Sequence, residues 1–163
     1  MADAVEIRRG TPEDFSQVVQ LWLEMMRYHH SLDPRFEVAA SGEQAYLEYL
    51  SDVFANFDFN LLVAVRGERL VGYTIAAIMV NHAILALPQY GFIAEMAVTE
   101  AERGQGTGEA MWTAAVEWFR RRGITVVQLN VSPRNESGQR FWRKLGCGDF
   151  LDILWYDIPR KAT

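Results

Sequence analysis

Three glycines in five positions, Gly104, Gly106 and Gly108, stand in the run Arg103-Gly104-Gln105-Gly106-Thr107-Gly108. The run follows an apolar, strand-like stretch over residues 92–98. It precedes an amphipathic, helix-like stretch over residues 109–122. Glycine lets the backbone come close to a ligand. A helix that starts here aims its free N–H groups and its positive dipole end at whatever lies in the loop. Strand, glycine-rich turn and helix N-terminus together make an arrangement for pyrophosphate, which implies a phosphate-bearing cofactor.

Two common phosphate loops are excluded. A nucleotide P-loop needs Lys and then Ser or Thr after its last glycine, and here Glu109 and Ala110 occupy those places. A dinucleotide fingerprint needs G-x-G-x-x-G. Gly104 and Gly106 are followed three residues on by Glu109, and Gly106 and Gly108 by Met111. What remains is R-x-x-G-x-G after a strand ending in Ala97-Val98. Here the chain resembles the GNAT superfamily of acyl-CoA-dependent N-acetyltransferases, over I-A-E-M-A-V-T-E-A-E-R-G-Q-G-T-G at residues 93–108. A second stretch carries the resemblance further. Asn130 ends a strand, Asn135 opens a helix, and F-W-R-K-L-G-C follows at residues 141–147. The element order agrees over about residues 5–158.

The resemblance implies transfer of an acetyl group from acetyl-CoA to a primary amine, with no metal. By position, the backbone N–H groups of Arg103, Gly104, Gln105, Gly106, Thr107 and Gly108 would hold the CoA pyrophosphate. Met96, Ala97 and Val98 would pair with the pantetheine like an added strand, and Asn135 would lie beside the cofactor. The implied fold is α/β: a mixed, mostly antiparallel sheet of about six strands flanked by four helices. Its fourth strand is bulged, and a V-shaped splay separates the fourth and fifth strands.

Acetyl transfer requires the ammonium to lose a proton, and a lysine-like amine starts near pKa ~10.4. Glu95 is the candidate base. A carboxylate on an otherwise apolar strand is costly to bury unpaired, so Glu95 is expected to face a polar cleft. The competing reading is a structural Glu paired to an arginine or a backbone amide. Strand alternation puts Glu95, Ala97 and Thr99 on one face and Ala94, Met96 and Val98 on the other. The oxyanion would meet a backbone N–H near Met96 to Val98. In the closing motif, Trp142 stands where many members carry the Tyr that protonates the departing sulfur. An indole N–H donates a hydrogen bond but gives up no proton, so Trp142 is expected to pack along the pantetheine or in the core. Tyr156 or water could replace it as acid.

These residues need a scaffold. The pattern predicts a strand over 5–9 and a helix from Thr11-Pro12 to about His30. A second helix runs from the Ser41 to Gln44 capping box to about Asn56. Strands over 60–65 and 70–79 meet at a Gly67-Glu68 hairpin. An apolar loop over 80–90 leads to the fourth strand. After the glycine motif and its helix come a nearly all-apolar fifth strand over 125–131, expected to be central and buried. A helix over 133–145 and a strand over 150–158 close the chain.

The whole, residues 1–163, is expected to form one domain with a core over about 5–158. The net charge of −5 argues against a nucleic-acid partner. Cys147, the only cysteine, excludes an internal disulfide and a thiol metal cluster, and the adjacent His29 and His30 do not share a helix face. The N-terminus M-A-D-A-V-E has no signal-peptide pattern, and no apolar run reaches the ~20 residues of a membrane span. The expected location is the cytosol. The apolar 80–90 loop and a bare edge strand near the C-terminus point to a homodimer.

Overall fold

Gly67 makes the turn on which the sheet is built. A computed structural model describes residues 4–160. Residues 1–3, the start of the N-terminal stretch read above, and 161–163, the far end of the expected 1–163 domain, lie outside it. Gly67 holds φ 62°, the left-handed conformation that suits glycine at the first position of a two-residue hairpin turn. From it β2 (Phe59–Arg66) and β3 (Arg69–Val80) run antiparallel, with Arg66 opposite Arg69. Then β1 (Glu6–Arg9) adds antiparallel to β2, and β4 (Gln89–Val98) antiparallel to β3. Last, β5 (Val127–Leu129) lies parallel to β4. The strand order is β1-β2-β3-β4-β5.

Helices cover both faces. On one, α1 (Phe15–Leu32) and α2 (Gly42–Ala55) bring Val18, Leu21, Tyr46, Leu50 and Val53 onto Leu61, Val63, Tyr73 and Ile75. On the other, α3 (Thr107–Arg121) sets Ala115 and Phe119 against Leu62, Ala76, Ile78 and Ile93, and α4 (Glu136–Lys144) adds Trp142. Covered twice, β2 and β3 are apolar along nearly their whole length. The first helix is preceded by a 3-10 turn, Pro12–Asp14. There Asp14 takes a paired bond from Arg8 Nη1 and Nη2 at 2.7 and 2.8 Å.

Several expectations are corrected. Among the described residues the sheet has five strands, not about six. Residues 150–158 form no strand, because among the described residues no sheet strand runs beside them to share a ladder. The fifth strand is three residues long and half-buried, not central, since no strand lies outside it. Ser41 stands at the N-cap of α2, but its hydroxyl makes no capping bond. The fourth strand begins earlier than expected, which shortens the apolar loop before it. In that loop Ile84 and Leu85 are exposed.

Candidate active site

β4 and β5 pair only where Gly91 to Ile93 meet Val127 to Leu129, so β4 past Ile93 has no neighbour on that side. A bulge sets this course. Ile75 faces Glu95 but Ala76 faces Ile93, which leaves Ala94 as the extra residue, and a bulge bends and twists its strand. It also breaks the expected alternation: Ala94 packs with Ala97 on the α1 and α2 side, while Met96 and Val98 pack toward α3. Past the bulge the ladder is regular. Thr99 N–H donates to Val71 O of β3, so the N–H groups of Met96 and Val98 turn to the open side.

A cavity of about 330 Å³ occupies that opening, between α1, β4, the glycine loop and α4. Of the residues expected at the cofactor, Met96, Ala97, Val98, Arg103, Gly104, Gly108, Asn135 and Trp142 line it. Gln105, Gly106 and Thr107 complete the loop without lining the cavity. Gly104 and Gly106 hold φ 74° and 86°, so the chain reverses tightly before α3 begins at Thr107. Among the described residues, the N–H groups of residues 104–108 find no protein acceptor at hydrogen-bonding geometry. Thr107 Oγ1 is buried with no partner either. This end of α3 therefore offers unpaired donors and a hydroxyl beside a positive dipole end.

Arg103 fixes the loop to its surroundings. Its Nε donates to Val98 O at 3.1 Å, and its guanidinium lies 5.9 Å from the Tyr28 ring of α1. Glu102 pairs with Arg66 of β2 at 2.8 Å, which holds the 3-10 turn at Glu100–Glu102. At Gly108 an added Cβ would meet Phe141 at 3.1 Å, so a glycine there lets α3 and α4 approach closely.

Glu95 is not among the residues that line the cavity, and its carboxylate is paired to neither arginine nor backbone amide. It is largely buried, and its Oε2 accepts hydrogen bonds from Tyr46 Oη at 2.5 Å and Tyr73 Oη at 2.7 Å. The Tyr46 ring stacks on Trp22 at 4.2 Å. Among the described residues Oε1 has no hydrogen-bond partner, yet it is not a sealed, unsatisfied atom; it therefore reaches solvent. Burial pushes the carboxyl above its usual value, and the two hydroxyls oppose that rise. Burial, with the Glu95 charge adding to it, pushes the Tyr46 and Tyr73 hydroxyls well up and Tyr49 to about 12, so all three stay protonated.

Asn135 is the N-cap of α4; its Oδ1 accepts from Gly138 N–H at 2.9 Å and from Tyr28 Oη at 3.2 Å. Trp142 packs in the core and also borders the cavity. It is 9 % exposed, packed edge-on against Trp112 at 5.6 Å, and its remaining edge lines the cavity. Tyr28 is the tyrosine among the cavity-lining residues; Tyr156 is exposed and away from the cavity. His29 also lines the cavity, against Phe36, and burial lowers its imidazole pKa. Burial raises the Cys147 thiol, which packs at the core edge.

The sequence reading gives Tyr28, Tyr46 and Tyr73 no role at the site. The available signal was chemical: a tyrosine within a buried run needs a partner for its hydroxyl. A second hollow, about 510 Å³, lies between β1, β2 and the end of α3. Its Arg8 and Arg122 are engaged by Asp14 and Asp58. Among the described residues no group of three His, Cys, Asp or Glu is placed to hold a metal. No helix there is long and apolar enough to cross a membrane.

Residues 20–147 match the model of the Acetyltransferase (GNAT) family. No curated protein matches the chain by sequence. Solved structures do match by fold. A tetramutant of the BH1408 protein from Bacillus halodurans superposes with TM-score 0.81 at 18% identity, over 94% of this chain and 99% of that one. The aminoglycoside antibiotic 6'-N-acetyltransferase AAC(6')-IG from Acinetobacter haemolyticus gives 0.75 at 14% identity, over 96% and 99%. Aminoglycoside N-acetyltransferase AAC(6')-Iy, in complex with CoA, gives 0.76 at 16% identity, over 97% of each chain. At such identities the likeness is one of fold.

Proposed function

The chain belongs to the GNAT family of acetyltransferases, and we propose that it moves an acetyl group from acetyl-CoA to a primary amine by direct attack in a ternary complex. One observation carries this reading: a carboxylate clamped through one oxygen, with the other open, next to the free edge of β4. The loop fits the diphosphate of coenzyme A, since its N–H groups are unpaired, Thr107 Oγ1 lacks a partner, and α3 points its positive end there. Coenzyme A supplies an activated acetyl thioester.

The chain supplies the rest. The N–H groups of residues 104–108 hold the diphosphate; that of Arg103, also expected there, already donates to Glu100 O at 3.2 Å. Met96, Ala97 and Val98 present backbone groups to the pantetheine, and Asn135 and Trp142 wall its far side. Glu95 Oε1 takes the proton of the incoming ammonium, directly or through one water. The N–H groups of Met96 and Val98 bind the carbonyl oxygen as negative charge grows on it. Tyr28 Oη gives a proton to the departing sulfur, a role that Trp142 cannot perform. A thiol of pKa about 8.5 leaves readily, so that help is modest. Trp22, Tyr46 and Tyr49 around one carboxylate suit a cationic acceptor. The similar aminoglycoside acetyltransferases make a small-molecule amine the first class to test. In this reading residues 5–158 act as one domain in the cytosol.

Calorimetry with acetyl-CoA, followed by thiol release with polyamines, aminoglycosides, amino acids and peptides, tests the proposal. Binding with turnover on at least one amine is expected. Glu95→Gln is expected to lower turnover at neutral pH by about 10²–10⁴-fold and to recover part of it at high pH. Tight binding with no turnover on any amine would replace the enzyme with an acyl-CoA sensor.

A further inference from the structure

The hollow of about 510 Å³ between β1, β2 and the end of α3 has an unused polar group in its wall. Asn60 of β2 lines it and is only 8% exposed. By register Asn60 shares the face of Leu62, which packs toward α3. Among the described residues its side-chain amide has no hydrogen-bond partner, yet neither polar atom is sealed from the hollow. A buried amide left unpaired costs free energy, and this one offers an acceptor oxygen beside a donor nitrogen.

The charge around that amide is mostly of one sign. Arg8, Arg9, Arg121 and Arg122 line the hollow against one carboxylate, Glu117. Asp14 holds Arg8, and Asp58 holds Arg122. Glu117 lies 2.7 Å from Arg120 and 3.9 Å from Arg121, so its single charge cannot neutralise both. Arg9 lies over the Phe54 ring at 5.7 Å and meets no carboxylate among the described residues. Arg9 and Arg121 thus leave positive charge uncompensated, on a chain whose net charge is −5. Aromatic surface stands beside them. Trp118 lines the hollow, as does Phe57, which is 86% exposed.

We propose that this hollow binds a small, flat heterocycle that bears an anionic group. A ring edge with N–H beside C=O satisfies both ends of the Asn60 amide. The anionic group, a carboxylate or a phosphate, goes to Arg9 and Arg121, because a guanidinium matches the geometry of either. Trp118 and Phe57 cover the ring. The volume falls within the roughly 300–1,000 Å³ of small-molecule pockets. The hollow shares no lining residue with the cavity beside β4. Its ligand is therefore tested without acetyl-CoA or an amine, and either reading can fail without the other.

The test is titration of the full chain with orotate and with uridine monophosphate, followed through the NMR signals of the Asn60 side-chain amide and the Trp118 indole. Both signals report from the hollow and not from the cavity beside β4. Saturable shifts are expected, and the tighter probe identifies the anion as carboxylate or phosphate. Uracil, which lacks the charge, inorganic phosphate, which lacks the ring, and benzoate, which lacks the hydrogen-bonding edge, are each expected to bind at least about tenfold more weakly. Asn60→Leu, read at Trp118, is expected to weaken the tighter probe by about tenfold. Arg121→Gln is expected to do the same, and since that side chain is 66% exposed its loss leaves the core packing intact. Absence of a saturable shift with both probes at millimolar concentration would overturn the proposal. So would benzoate binding as tightly as orotate, or an affinity for the tighter probe that Arg121→Gln leaves unchanged.

Discussion

Removing one tyrosine hydroxyl from Glu95 is expected to move the enzyme's acid limb upward in pH. Glu95 Oε2 accepts Tyr46 Oη at 2.5 Å and Tyr73 Oη at 2.7 Å, and both bonds favour the charged carboxylate. Each hydroxyl-to-carboxylate bond contributes about 1.5–3 kcal/mol. At ~1.36 kcal/mol per unit, loss of one bond raises the carboxyl by roughly 1–2 units. The remaining hydroxyl and an entering water compensate in part, so about 1 unit is expected. The base proposed at Glu95 works only when ionised. Turnover is therefore lost as pH falls through its pKa, and the Tyr46→Phe or Tyr73→Phe limb is displaced to higher pH with the plateau kept. The fall on the limb is about tenfold at fixed pH. The assay is initial thiol release from pH 5 to 9, with one amine for all variants so that the amine's own titration cancels. Phe keeps the ring of residue 46 stacked on Trp22, and a melting curve checks the fold. A uniform loss at every pH with the limb unmoved, in both variants, would refute this electrostatic reasoning.

Further predictions concern stability. The folded-state pKa of Glu95 is raised above its unfolded value by burial, so its ionised form burdens the fold at pH 7. Glu95→Gln, whose amide oxygen still accepts both hydroxyls, is expected to melt higher at pH 7, with the gain shrinking toward pH 4; a lower melting point at pH 7 would contradict this. Gly106 holds φ 86° in open space. Gly106→Ala is expected to cost about 1–2 kcal/mol from backbone strain alone and to weaken acetyl-CoA binding by calorimetry. Asp14 is held below the usual carboxylate range chiefly by its hydrogen bonds from Arg8. Its contribution is present above the unfolded value and lost as pH falls through the folded one. Asp14→Asn is therefore expected to cost about 1–2 kcal/mol in urea unfolding at pH 7, a cost that shrinks as pH falls below the usual carboxylate range.

The glycine loop and the edge of β4 were legible because they are local. Met96 to Val98 and Arg103 to Gly108 are contiguous, and the role proposed for them falls on backbone groups, which residue type and spacing report directly. The structure brings eight of the eleven expected cofactor positions to one cavity. The setting of Glu95 was not legible. Tyr46 and Tyr73 lie 49 and 22 residues from Glu95, on elements whose meeting no periodicity encodes. Tyr28 reaches Asn135 across 107 residues.

The sequence by itself determined the strand, glycine turn and helix, hence the kind of ligand, and it marked Glu95 as the odd carboxylate on an apolar strand. Only the tertiary structure decided how that carboxylate is held, because a buried charge takes its partners from whichever elements fold over it. It also decided that residues 150–158 stay out of their own sheet. The 150–158 run is apolar enough to demand cover, a property of the residues alone. Whether the cover comes from its own sheet depends on the direction in which α4 and the glycines after it release the chain, and that is a property of the fold.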